Sequence, residues 1–141
     1  MAANDAINQL GSYATTSAAP SGLAAGGFSA LSGKISALLT TGNEASYPTL
    51  DFKLDITGGT ISAGETVNLY RVAGDSAAQA ASGVGQMYVG SFTYQAVEQY
   101  YVYGVENVSP DDQFQLENGS SAGTLTGTLS VRSRTITPAS A

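Results

Sequence analysis

The clearest pattern in the sequence is a strict alternation of apolar and polar side chains. In Leu50–Ile56 every second residue is apolar and charged residues lie between them, which is typical of a half-buried β-strand. The same two-residue period runs through residues 124–132, where Leu125, Leu129 and Val131 alternate with mainly hydroxyl-bearing residues. Both segments are therefore predicted to be strands with their apolar side chains facing a core.

Further strands are indicated by β-branched and aromatic runs that end at turn residues. They lie at residues 66–72, 87–94, 99–105 and 113–117, with a weaker one at residues 34–39. The short connection at residues 95–97 favours antiparallel pairing between the two aromatic strands on either side of it. Seven or eight strands without a crossover helix predict an all-β protein, built as an antiparallel β-sandwich or jelly roll.

The first thirty residues show neither the strand period nor the helix period and are rich in Ala, Ser, Gly and Thr. They are predicted to form an extended N-terminal arm, residues 1–30, ahead of a β-sandwich domain at residues 31–141. The arm carries isolated apolar residues that we expect to anchor it at an interface, namely Ile7, Leu10, Tyr13, Leu23 and Phe28. An unattached terminus is the alternative interpretation of the same segment.

Composition narrows the possible partners. The chain has 141 residues, the size of one domain, and only 11% of them are charged, against about 25% in a typical soluble domain. A neutral polar surface costs less free energy to desolvate than a charged one, and it therefore suits contacts with other proteins. A net charge of −6 with only five Lys and Arg residues argues against nucleic acid and against membrane surfaces as partners.

The chain contains neither His nor Cys, which removes thiolate nucleophiles, imidazole bases and the usual zinc ligands. Asp51 and Asp55 are predicted to lie with Lys53 on the solvated face of one strand, too far apart along it for a glycosidase pair. Residues 109–112, which include Asp111 and Asp112, are interpreted as a turn. We therefore expect no catalytic residues, no metal site, no cofactor and no enzymatic activity.

The tyrosines of the aromatic strands are the remaining candidates for a binding site. Tyr101 and Tyr103 share one face of their strand. Such rings can stack on sugars, but tyrosine is also common at protein interfaces. The two residues are predicted to be interface residues, and a carbohydrate-binding β-sandwich module is the alternative.

Three strand segments resemble those of bacteriophage capsid decoration proteins, also called cement proteins, which are small virion proteins with a jelly-roll fold. The segments are Leu50–Ile56, AGETVNLYRV at residues 63–72, and FQLEN at residues 114–118. The resemblance covers about residues 48–136 and rests mainly on strand patterns.

The resemblance implies an accessory protein that is made in the host cytoplasm and binds the outer surface of an icosahedral phage head. Its partner would be the major capsid protein, whose neighbouring subunits it would bridge, often as a homotrimer. The resemblance implies no catalytic residues. A module of a phage tail or fibre is the neighbouring alternative, because similar sandwiches serve different functions.

Overall fold

Two β-sheets pack face to face in the computed structural model, which describes residues 6–39, 49–72 and 86–138. For residues 6–10 and 135–138 the description covers the backbone alone. All pairings between the named strands are antiparallel. The predicted all-β sandwich is therefore confirmed.

The described residues form nine strands and one short helix. In chain order these are β1 (Ala6–Leu10), β2 (Ala14–Thr15), β3 (Leu23–Ala24), α1 (Ile35–Leu38), β4 (Thr49–Gly59), β5 (Thr66–Val72), β6 (Gln86–Thr93), β7 (Gln99–Val105), β8 (Gln113–Asn118) and β9 (Thr124–Pro138). The larger sheet has the order β9-β4-β7, and β1, β2 and β3 all pair with the other edge of β9. The smaller sheet has the order β6-β5-β8.

The core lies between the two sheets and is filled by the inward side chains of the alternating strands. Leu125, Leu129 and Val131 of β9 are buried, as the alternation predicted. Across the sandwich, Phe52 of β4 meets Phe114 of β8 with ring centroids 4.6 Å apart. Burial of side chains of this size contributes roughly 1.5–3 kcal/mol each, so these contacts hold the two sheets together.

The N-terminal arm is extended, and its described residues lie along the chain's own sandwich. After β3 leaves the edge of β9, the backbone crosses to the outer edge of β8. There Gly26 N donates to Asn118 O at 2.7 Å, and Ser29 N donates to Leu116 O at 2.8 Å. Ala18, midway along the arm, is fully buried and belongs to the core. The arm thus covers one lateral side of the sandwich.

Two serine hydroxyls complete the pairing of the arm with β8. Leu116 N donates to Ser29 Oγ, and Phe114 N donates to Ser32 Oγ, each at 2.9 Å. Both serines are buried. Their side chains supply acceptors where the irregular arm presents no carbonyl, and buried backbone donors require such a partner.

The strand predicted at residues 34–39 is wrong, because residues 35–38 form the single turn α1. Ile35 and Leu39 are both buried, and Leu39 N donates to Ile35 O at 2.9 Å. A spacing of four residues places two side chains on one face of a helical turn. The apolar residues of this short segment fit that spacing better than they fit alternation.

The predicted pairing between the two aromatic strands is also wrong, since β6 and β7 belong to different sheets. The chain crosses the sandwich between them. Tyr100 Oη holds this crossing by accepting hydrogen bonds from Gln95 N at 2.8 Å and Ala96 N at 2.9 Å. As a result, β6 and β7 are the edge strands on the side of the sandwich opposite the arm.

We expect Ser32→Ala to lower the free energy of unfolding by about 1–3 kcal/mol, because Phe114 N loses its acceptor in a buried position. Chemical denaturation measures this change. The matched control is Ser36→Ala on the exposed surface of α1, which should change stability by less than about 0.5 kcal/mol. Equal effects of the two substitutions would contradict the structural role of the Ser32 hydroxyl.

Candidate interaction surface

Charged and aromatic side chains meet on the outer face of the larger sheet. We call this group the arginine–tyrosine surface. It consists of Tyr13 from the arm, Asp51 and Lys53 from β4, Tyr101 and Tyr103 from β7, and Arg132 and Arg134 from β9. These residues lie at the outward positions of strands whose alternate side chains fill the core. Three strands and the arm therefore contribute to one surface.

Asp51 lies at the centre of this surface and is completely buried, with 0% of its area exposed. Its predicted position on a solvated face is therefore wrong. Its Oδ2 atom accepts hydrogen bonds from Arg132 Nε at 3.0 Å and from Arg134 Nη2 at 2.8 Å. Charge-assisted hydrogen bonds of this kind compensate for the cost of burying a carboxylate.

A β-bulge supplies the third hydrogen bond to Asp51. The register between β4 and β7 shifts between Leu50 and Phe52, and Gly104 opposite has a φ of 71°. This left-handed conformation is readily adopted by glycine because it has no Cβ. The bulge is accompanied by a bond from Gly104 N to Asp51 Oδ1 at 3.1 Å, so three strands are joined through one carboxylate.

Tyr13 brings the arm into the same surface. Its ring centroid lies 4.7 Å from Lys53 Nζ and 4.7 Å from Arg132 Cζ, both within the range of cation–π attraction. The ring is also 6.4 Å from the ring of Tyr101. The position of these cations is therefore linked to the docking of the arm.

Tyr101 and Tyr103 stack on each other. Their ring planes differ by 10° and their centroids are 5.5 Å apart, a separation at which parallel rings overlap in an offset stack. Arg134 Cζ lies over the Tyr103 ring at 5.6 Å. Because ring faces contact one another and the guanidinium, the pair does not offer two flat faces side by side.

Two buried polar atoms in this surface have no hydrogen-bond partner. They are Tyr13 Oη and Arg134 Nε, and no other side-chain atom of the described residues shares this property. Burial raises the pKa of Tyr13, although the positive charge of Arg132 lowers it in part. The phenol therefore keeps its proton at neutral pH, and both unpartnered atoms are hydrogen-bond donors.

The structure brings together three of the seven residues predicted to form an interface, namely Tyr13, Tyr101 and Tyr103. Leu23 packs against the core of its own chain, and the ring of Phe28 lies 6.0 Å from that of Tyr70. The backbone of Ile7 and Leu10 pairs with β9, but their side chains lie outside the description. Leu23 and Phe28 therefore hold the arm to the sandwich.

Sequence reasoning missed the charged half of the surface. Lys53, Arg132 and Arg134 are three of the five cations of the chain. Asp51 lies directly opposite Arg132 in the register of β4 and β9. Alternation predicted which residues of each strand point outward. It did not predict which residues lie opposite each other in two strands that are eighty residues apart.

A groove of about 290 Å³ lies next to this surface, between the edge strands β6 and β7. Tyr103 and Gly104 line it together with Arg71, Met87 and Tyr88. In the described ranges, the exposed large apolar side chains all fall between residues 87 and 103: Met87, Tyr88, Val97, Tyr101 and Tyr103. Exposed apolar area is thus concentrated on the lateral side that the arm leaves open.

The acidic segment at residues 109–112 forms the predicted turn. Asp112 N donates to Ser109 O at 3.0 Å, and Ser109 N donates to Asp112 Oδ2 at 2.9 Å. Asp112 also pairs with Arg71 at 3.8 Å. Within the part of the chain that is described, no three metal-ligating side chains lie close enough to hold an ion.

No family model matches the sequence, and no curated protein matches it either. None of the helices in the described ranges is long and apolar enough to cross a membrane.

Replacing Asp51 with Asn should lower the free energy of unfolding by about 3 kcal/mol, because two partly buried guanidiniums lose their shared counter-charge. Asp55→Asn is the matched control, since Asp55 lies on the same strand face, is half-buried and forms no ion pair among the described residues. Denaturant titration of both variants measures the difference. A loss no larger than that of the control would contradict the central role of Asp51.

The raised pKa of Tyr13 predicts a loss of stability at high pH. The unfolded chain releases this proton near its ordinary pKa of 10.0, whereas the folded chain keeps it until a higher pH. Rising pH therefore favours unfolding from about pH 10 up to the folded pKa. Tyr13→Phe should reduce the slope of unfolding free energy against pH in this range, and an unchanged slope would contradict the prediction.

Proposed function

We propose that this chain is a capsid decoration protein, which binds the outer surface of an icosahedral phage head and stabilises contacts between major capsid subunits. The resemblance of its strand segments to that class supports the proposal. So does the sandwich fold, although folds of this kind serve many functions. The role is structural, and the partner is the major capsid protein.

The observation that carries the proposal is the distribution of exposed apolar side chains. The five that the described residues contain lie on one side of the molecule, around β6 and β7. Contiguous exposed apolar area next to polar residues marks protein–protein contact sites. Tyr and Arg, which dominate the adjoining arginine–tyrosine surface, are among the residues most enriched in the energetic centres of interfaces.

The position of the arm supports a defined binding side. β1, β2 and β3 cover the edge of β9, and residues 26–32 cover the edge of β8. An uncovered strand edge is a site for further pairing. Since the arm occupies one lateral side with its own chain, the edges of β6 and β7 are the ones that the described residues leave for a capsid subunit or for another copy of the chain. The trimeric state remains a prediction of the resemblance.

Quantitative mass spectrometry of purified virus particles tests the proposed location. We expect the copy number of the chain to be proportional to that of the major capsid protein, because a decoration protein repeats with the lattice. A few copies per particle would contradict the proposal and favour a tail or fibre module. Absence from the particle would also contradict it.

Rebinding to particles that lack the chain tests the proposed side. Tyr103→Ser should weaken attachment at least about tenfold, because a central aromatic residue commonly contributes more than about 1.4 kcal/mol to an interface. Thr128→Ser is the control, since Thr128 lies on the outer face of the same sheet and opposite Asp55. Equal binding of both variants would place the capsid contact elsewhere.

A further inference from the structure

The arginine–tyrosine surface carries a local charge opposite to that of the whole chain. Three cations against the one carboxylate of Asp51 give it a formal charge of +2, in a chain whose net charge is −6. The remaining residues therefore carry −8. Asp55 and Glu106 border this surface, but neither forms an ion pair with its cations in the described part of the chain.

Both carboxylate oxygens of Asp51, the internal partner of the two arginines, already accept hydrogen bonds. Asp51 Oδ2 accepts from both guanidiniums, and Oδ1 accepts from Gly104 N. Each guanidinium has five N–H donors. The side chains of Arg132 and Arg134 are 19% and 31% exposed, so part of each remains open to a partner while Asp51 holds the guanidinium in position.

The unpartnered atoms indicate what chemistry is missing. Arg134 Nε and Tyr13 Oη are both donors, and both are buried without an acceptor. A buried donor without an acceptor is unfavourable, so this part of the surface has more hydrogen-bond donors than acceptors. A planar carboxylate matches the fork of an arginine side chain through paired hydrogen bonds.

We infer that the arginine–tyrosine surface binds carboxylate side chains of an acidic segment on a partner protein, with Arg134 as the main donor and Lys53 as a second cation. The inference deepens the proposed function and rests on it, since the segment would belong to a capsid subunit. Asp55 lies opposite Thr128, and Thr49 lies opposite Arg134. Along β4 this places Asp55 about 20 Å from the Arg134 end but only two residues from Lys53, so Arg134 is the cation most open to the incoming carboxylate.

Two other occupants fit the charge less well. Nucleic acid would have to approach a chain whose remaining surface is strongly negative, and phosphate contacts depend on many clustered cations. A second copy of the chain would bring its own acidic residues, but it would also bring its own excess negative charge. Both are separate outcomes of the experiment below.

The experiment uses NMR of the isotopically labelled full chain to measure binding of a short capped peptide in which Glu alternates with Gly. The same peptide with Gln in place of Glu is the matched ligand control. Arg134→Gln and Lys53→Gln test the surface, and Lys34→Gln tests an exposed cation outside it, which pairs with Asp111 at 3.6 Å. The spectrum of each variant shows whether it is folded. If Arg134→Gln does not fold, Lys53→Gln provides the test of the surface.

We expect the Glu peptide to shift resonances of the surface and the Gln peptide to leave them unchanged. Affinity should fall about tenfold in Arg134→Gln, less in Lys53→Gln and not at all in Lys34→Gln. Binding should weaken when salt is raised from about 0.05 M to about 0.5 M.

Several results would overturn the inference. One is the absence of saturable binding of the Glu peptide, and another is a loss of affinity in Lys34→Gln equal to that in Arg134→Gln. The others are binding of oligothymidylate at the same residues as tightly as the Glu peptide, and self-association of the chain that Arg134→Gln abolishes. Particle binding separates this inference from the proposed function. If Arg134→Gln does not change attachment to particles, the decoration role stands and the acidic segment is excluded as its partner. If the chain binds the peptide but is absent from heads, the carboxylate-binding surface stands and the capsid role is excluded.

Discussion

Burial of the Asp51 carboxylate is the constraint on which the outer face of the larger sheet depends. A fully buried carboxylate requires compensation from donors and opposite charge, and here two arginines of β9 and one amide of β7 provide it. The two guanidiniums are thereby held at fixed positions on the surface. A flexible arginine would lose rotamer entropy on binding a partner, so this arrangement suits the proposed contact with a partner protein.

The arm and the sandwich act as one unit in forming that surface. Ala18 belongs to the core, and Ser29 and Ser32 complete the edge of β8. The same segment carries Tyr13 to the cations of β4 and β9. Because the arm covers one lateral side, the exposed apolar residues of β6 and β7 define the other side. The proposed side of binding thus follows from how the chain uses its own N-terminal segment.

Alternation predicted most of the fold but little of the surface. The inward residues of β4 and β9 followed from a two-residue period, which depends only on local geometry. The strand prediction for residues 34–39 was wrong because Ile35 and Leu39 have the four-residue spacing of a helical turn, and periodicity decides little in so short an apolar segment. The pairing of β6 with β7 and the burial of Asp51 depend on connections across the sandwich and on register between distant strands, and local sequence contains neither.

Amide hydrogen exchange at Gly104, measured by NMR, tests most directly whether Asp51 organises this face. Gly104 lies at a bulge in an edge strand, where backbone amides ordinarily exchange readily. The bond to Asp51 predicts a strongly protected Gly104 amide in the unsubstituted chain and loss of that protection in Asp51→Ala, with the other β7 amides paired to β4 still protected. Exchange of the Gly104 amide at the rate of an unstructured peptide in the unsubstituted chain would contradict the account.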